Sequence, residues 1–140
     1  MSIVKGILAV VVLGCIVFFL LGLKSQKGVA KGLENGKLAE CPASPNCVCS
    51  EADVQPEKLV APLAATLAQA KAAIVKTGGV ITSESDDYIS ATYMSGIFKY
   101  VDDVELRAEG DVVHIRSASR VGHSDMGANA KRVAAIRAAL

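Results

Sequence analysis

Tryptophan is absent, and only three phenylalanines, three tyrosines and two histidines occur in 140 residues. A core drawn from this composition has to be largely aliphatic. Net charge is scarce as well: fifteen Lys and Arg against fourteen Asp and Glu leave +1 with histidine neutral. A nucleic-acid binder would carry a basic excess, so no nucleic-acid partner is expected. No internal repeat is visible, no Cys-x2-Cys pair offers an ordinary zinc knuckle, and no Gly-x-Ser-x-Gly elbow offers an exposed nucleophilic serine. No metal site and no cofactor is therefore expected, and an enzyme is the less favoured reading.

What is present begins with one long uncharged run, residues 6–23, GILAVVVLGCIVFFLLGL. Eighteen residues at about 1.5 Å each give roughly 27 Å of helix, enough to span a hydrocarbon core. Lys5 and Lys24 bracket the run and can snorkel to the two interfaces. A retained single-pass anchor over residues 1–24 is the reading adopted. The alternatives are a signal peptide cleaved near Gly28-Val29-Ala30 and a lipoprotein signal ending at Cys15, where Val12-Leu13-Gly14-Cys15 faintly resembles a lipobox. Residues 25–40 are polar, Gly-rich and lysine-bearing, and read as a flexible tether along the membrane surface. Residues 41–140 are enough for one small domain. Orientation signals conflict. Lys24, Lys27, Lys31 and Lys37 follow the run, which by the positive-inside rule favours a cytoplasmic domain. Clustered cysteines favour an oxidising compartment, and the periplasmic side is the one adopted.

Cys41, Cys47 and Cys49 fall within nine residues, CPASPNCVC. Pro42 and Pro45 keep their predecessors out of helical geometry, so Cys41 and Cys47 can bridge across a turn; metal and redox roles are the alternatives. Residues 62–77 place Leu63, Leu67, Ala70 and Ile74 on one helical stripe, with Pro62 in the first turn and Gly78 at the C-cap. Residues 79–117 alternate as strands: GVITSE, then YISATYMS with Ile89, Ala91 and Tyr93 on one face, then VDDVELRA and DVVHIRSA as a hairpin around Glu109-Gly110. That loop sets Leu106 opposite Val113 and Val104 opposite Ile115, and on the other, exposed face Glu105 opposite His114 and Asp103 opposite Arg116. Asp102 then falls on the core side opposite Ser117 and needs a cation, for which Arg120 and Arg132 are the candidates. Residues 126–140 read as a second helix, capped by Ser124 or Asp125, with Asn129, Val133, Ile136 and Leu140 on one stripe. The fold class is thus α+β: an N-terminal transmembrane helix, then a small domain of about four mostly antiparallel strands with two helices on one face.

Side-chain chemistry is densest in residues 113–132, VHIRSASRVGHSDMGANAKR. Together with Cys-Pro-x-Ser-Pro-Asn-Cys-Val (41–48) and Tyr-Val-Asp-Asp-Val-Glu (100–105), the stretch Arg-Ser-Ala-Ser-Arg-x-Gly-x-Ser-Asp-x-Gly-x-Asn-x-x-Arg (116–132) resembles the bacterial and chloroplast family called domain of unknown function 1499. The resemblance spans roughly residues 41–140. It implies a small exported or membrane-anchored protein and no assigned catalytic activity. Cys49 stands where members usually have Ser, which marks it as the unpaired thiol.

Three readings of the polar stretch follow. In the first, Arg116, Arg120 and Arg132 converge on the helix N-terminus, where free N–H groups favour negative charge; Ser117, Ser119, Ser124, Asp125 and Asn129 complete a site for a small anion or lipid headgroup. In the second, preferred, the arginines pair with Asp102, Asp103 and Asp125, Asn129 stitches loop to helix, and Cys41 and Cys47 are structural. The protein is then a membrane-anchored accessory acting through contacts with a protein partner or membrane complex. In the third, a hydrolase, His123-Ser124-Asp125 are consecutive and so poorly placed for a relay.

Overall fold

The computed structural model describes residues 2–140. A helix, α1 (Ser2–Gln26), leads into a two-stranded hairpin of β1 (Leu33–Glu34) and β2 (Lys37–Leu38). Then come β3 (Cys47–Cys49), a 3-10 turn (Pro56–Lys58), α2 (Leu67–Lys76), β4 (Val80–Glu84), β5 (Tyr88–Met94), β6 (Val101–Glu109), β7 (Val112–Ser119) and α3 (Ala128–Ala138). The main sheet is antiparallel, in the order β3-β7-β6-β5-β4. The α+β class stands, with one strand more than the four expected: Cys47–Cys49 pairs with Ala118 to Arg116 on β7.

Helices α2 and α3 cover one face. Ala70, Ala73 and Ile74 of α2 and Val133 and Ile136 of α3 pack on Ile89, Ala91, Val104, Leu106, Val113 and Ile115. The core is aliphatic, as a chain without tryptophan requires. Leu140, assigned to the α3 stripe, is exposed instead, because the helix ends at Ala138. Helix α2 starts later than Pro62. Thr66 and Gln69 form a reciprocal capping box, which satisfies two N-terminal donors, while Leu63 bridges Val113 in extended form.

The β6–β7 hairpin turns at Gly110-Asp111, one residue beyond the expected Glu109-Gly110. Gly110 takes φ 57°, a conformation that glycine adopts without steric cost. Leu106 therefore faces Ile115, Val104 faces Ser117 and Glu105 faces Arg116. Each strand residue meets a partner two positions further along, so every side chain keeps its assigned face while the pairings change. The expected Asp103–Arg116 ion pair is replaced by Glu105–Arg116, and Asp102 lies opposite Ser119 rather than Ser117.

The second face of the sheet is not solvated. Asp103, Glu105, Arg107 and Arg116 are all buried there. Residues 25–40, expected as a free tether, lie against this face: Leu38 and Ala39 are buried, and Gly32 N donates to Glu105 Oε1 at 2.7 Å. The tether expectation is corrected on this point. A segment read as solvated from its glycines and lysines becomes ordered because a buried carboxylate needs its backbone donor.

Candidate functional site

Strand β7 alternates, and the sheet therefore divides the predicted site in two. Ser117 and Ser119 project to the α3 side, as does Asp102; Arg116 projects to the other side, as do Asp103 and Glu105. Asp102 and Asp103 are consecutive in β6 and point to opposite faces. They hold the two remaining arginines on opposite sides of the sheet: Arg132 Nη2 donates to Asp102 Oδ2 at 2.7 Å, and Arg120 binds Asp103 through Nε at 2.8 Å and Nη2 at 2.7 Å. Arg116 Nη1 reaches Glu105 Oε2 at 2.9 Å. The three guanidiniums do not converge on the α3 N-terminus.

On the helix side the centre is Asn129, with its side chain fully buried. Its Oδ1 accepts from Ser117 Oγ at 2.7 Å and from Arg132 Nη1 at 2.6 Å. Its Nδ2 lies 3.0 Å from Asn46 O, 3.0 Å from Ser119 Oγ and 2.7 Å from Asp125 Oδ2. The N-cap of α3 is Gly127 rather than Ser124 or Asp125, but the Asp125 carboxylate, two residues earlier, accepts from Gly127 N and Asn129 N, both at 2.9 Å. Burial works to raise the Asp125 pKa, but these donors outweigh it and hold the carboxyl below its ordinary range. Asp125 is thus satisfied by amides, not by an arginine. The Arg132 guanidinium also sits 4.8 Å from the centre of the Tyr93 ring, a favourable cation–π arrangement. Ser124 is exposed, and its Oγ accepts only from Met126 N.

On the opposite side Glu105 is 0% exposed. Its three donors are Arg116 Nη1, Tyr88 OH at 2.7 Å and Gly32 N. Burial, reinforced by the bond to Glu105, pushes the Tyr88 hydroxyl well above its usual pKa. Arg120 reaches further, donating from Nη1 to Ser25 O at 3.0 Å and so tying the sheet to the end of α1.

A disulfide joins Cys41 and Cys47, and Cys49 is a buried free thiol. The disulfide-closed loop presents Asn46, whose backbone O accepts from Ser119 N and Asn129 Nδ2 and whose side chain donates to Gly122 O. Asn46 and Glu105 are central to the network; both fall in the motifs quoted above, but neither is among the site residues expected from the sequence. For Asn46 a signal existed in its place between a proline and a bridged cysteine, where an asparagine's side chain commonly bonds backbone.

A second charged group lies at the far end of the hairpin. Arg107 binds Glu51 through Nε at 2.9 Å and Nη2 at 3.1 Å, and also Glu109. His114 lies between Glu109, at 2.8 Å from Nε2, and Ser50 Oγ, at 3.1 Å from Nδ1. In this serine–histidine–carboxylate line Ser50 is buried and its Oγ also accepts from Ile115 N at 2.8 Å. Among the described residues no group of three or more His, Cys, Asp or Glu side chains is arranged to hold a metal ion.

A family model described as "Protein of unknown function (DUF1499)" matches residues 37–140. No curated protein and no solved structure matches the chain. The match covers β2, all five strands of the main sheet, both packed helices, the disulfide loop and the whole Asn129 network, and on this ground the chain belongs to the DUF1499 family.

Proposed function

We propose that the chain is a single-pass protein of a bacterial inner membrane whose domain acts as a non-enzymatic accessory unit through contacts with a protein partner or membrane complex. The observation that carries this reading is the consumption of the motif's chemistry inside the fold. Arg116, Arg120 and Arg132 each face a carboxylate at 2.7–2.9 Å, and Ser117, Ser119, Asp125 and Asn129 bond one another. Such a network specifies one packing and occupies these side chains within the fold. The anchor reading rests on the helix Ile3–Gln26, whose 24 residues are long and apolar enough to cross a membrane and lie almost entirely outside the domain core. The Cys41–Cys47 disulfide supports the oxidising, periplasmic side.

The test is extraction of the full chain from its native membrane in mild detergent, followed by sizing with mass determination. A stoichiometric complex is expected, and a lone chain throughout would reject the accessory reading. A C-terminal alkaline phosphatase fusion should be active; an inactive fusion would reject the periplasmic side.

A second reading has one observation in its favour. Arg116 Nε is buried without a hydrogen-bond partner, and Arg116 borders a cleft of about 610 Å³ that Lys31, Ser44, Ser119 and Arg120 line together with Glu40 and Asp103. A small anion or a lipid headgroup fits that chemistry. It should raise the melting temperature at millimolar phosphate or glycerophosphate, because it binds the folded state alone; no rise would dismiss it.

A further inference from the structure

The β5–β6 connection, Ser95–Tyr100, carries Ile97 and Phe98, and it does not stand free at the surface. Its backbone lies directly on α1: a Cβ on Gly22 would come within 1.8 Å of Phe98 O. The Phe98 ring lies 5.4 Å from the ring of Phe18, centre to centre, and 6.4 Å from that of Tyr100. Phe18 precedes the last apolar residue of the run, Leu23, by five positions, which is about 7.5 Å along a helix axis. Helical side chains also lean towards the N-terminus, here deeper into the apolar run. Beside Phe98, Ile97 is 85% exposed, and Met94 is exposed as well. Lys24, Lys27 and Lys99 are exposed close to where the apolar run ends.

The joint is also braced. Ser25 Oγ donates to Gly22 O at 2.6 Å and accepts from Val101 N at 2.9 Å, and Gln26 Nε2 donates to Lys99 O at 3.2 Å. With Arg120 Nη1 on Ser25 O, the end of α1 is fastened to the turn, to the start of β6 and to the residue that follows β7. The helix and the turn therefore enter any surrounding medium together.

We propose that Ser95–Tyr100 is a second membrane-contact element, inserting Ile97 and Phe98 into the acyl-chain region of the lipid bilayer alongside α1 while the neighbouring lysines meet the headgroups. The occupant is the bilayer rather than a protein partner, because Phe98 sits directly on the apolar surface of α1, at Phe18 and Gly22, with the exposed Ile97 next to it in the chain. An aromatic and an aliphatic residue flanked by lysine and tyrosine suit that boundary. This inference rests on the reading of α1 as a membrane span.

The chain has no tryptophan, so one introduced residue reports alone. Three full-length variants, Ile97→Trp, Leu13→Trp and Asp86→Trp, are placed in vesicles of phosphatidylethanolamine and phosphatidylglycerol carrying brominated acyl chains. Ile97→Trp should lose most of its emission to lipids brominated near the headgroup and resist aqueous iodide. Leu13→Trp should respond to lipids brominated deeper, and Asp86→Trp to iodide only. Iodide quenching of Ile97→Trp with no response to brominated lipid, while Leu13→Trp still responds to lipid, would overturn the turn's insertion and leave the anchor standing. If Leu13→Trp also fails to respond to lipid, the span reading falls and the insertion falls with it.

Discussion

Asn129 shows how one side chain can organise a loop, a strand and a helix. It is fully buried, and an amide there is tolerated only because every one of its hydrogen-bonding positions is filled. Its replacement by alanine removes at once the side-chain bonds to Ser117 Oγ, Arg132 Nη1, Asn46 O, Ser119 Oγ and Asp125 Oδ2, although Ser117 Oγ keeps Arg132 Nη1 and Asn46 O keeps Ser119 N. With intramolecular hydrogen bonds contributing a net of roughly 0.5–1.5 kcal/mol each, Asn129→Ala should destabilise the domain by about 3 kcal/mol. Urea unfolding of the detergent-solubilised chain measures this; a loss below about 1 kcal/mol would mean that the network is not cooperative. The asparagine was legible in sequence, since it interrupts the Val133–Ile136 stripe. Its partners were legible only in part. Alternation assigned each hairpin residue to a face, but a register displaced by two residues preserves all faces, so hydrophobic pattern alone could not distinguish Arg116–Asp103 from Arg116–Glu105.

Helix α1 and the turn Ser95–Tyr100 form a joint that depends on one missing side chain. Gly22 admits the Phe98 carbonyl, whereas Gly14, earlier in the same helix, has nothing within 4 Å. Gly22→Ala should therefore force the turn away from the helix, at a cost of roughly 1–3 kcal/mol for overpacking, and Gly14→Ala should leave stability unchanged. Comparing the melting temperatures of the two variants checks this, and equal melting temperatures would refute a packed joint. In the sequence both glycines look alike inside an apolar run. Likewise the segment 25–40 carries the composition of a linker, and nothing local to it announces Glu105, the distant carboxylate that captures Gly32.

The whole molecule should respond to acid through its amide- and arginine-bound carboxylates. Burial favours protonated Glu51, yet Arg107, the Leu38 N–H and His114 prevail and hold its pKa below normal, as amides do for Asp125. A depressed folded-state pKa contributes stability that is present above the unfolded values, about 3.9 for Asp and 4.3 for Glu, and is lost as pH falls through the lower folded ones. The melting temperature should thus change little from pH 7 to about 5 on account of these groups and fall below about pH 4. Asp125→Asn should lower it at neutral pH and flatten the acid limb; an unaltered limb would remove Asp125 from the account. The apolar run, the two amphipathic helices and the alternation of four strands are properties of neighbours in the chain, set by periods of 3.6 and 2 residues and by composition, and they were readable without coordinates. Hairpin register, the fifth strand, the burial of the sheet's second face and the seating of Phe98 on Phe18 depend on which distant groups complete one another's hydrogen bonds and fill one another's space. Those choices are made between segments up to about a hundred residues apart, such as Ser25 and Arg120, and only packing in three dimensions decides them.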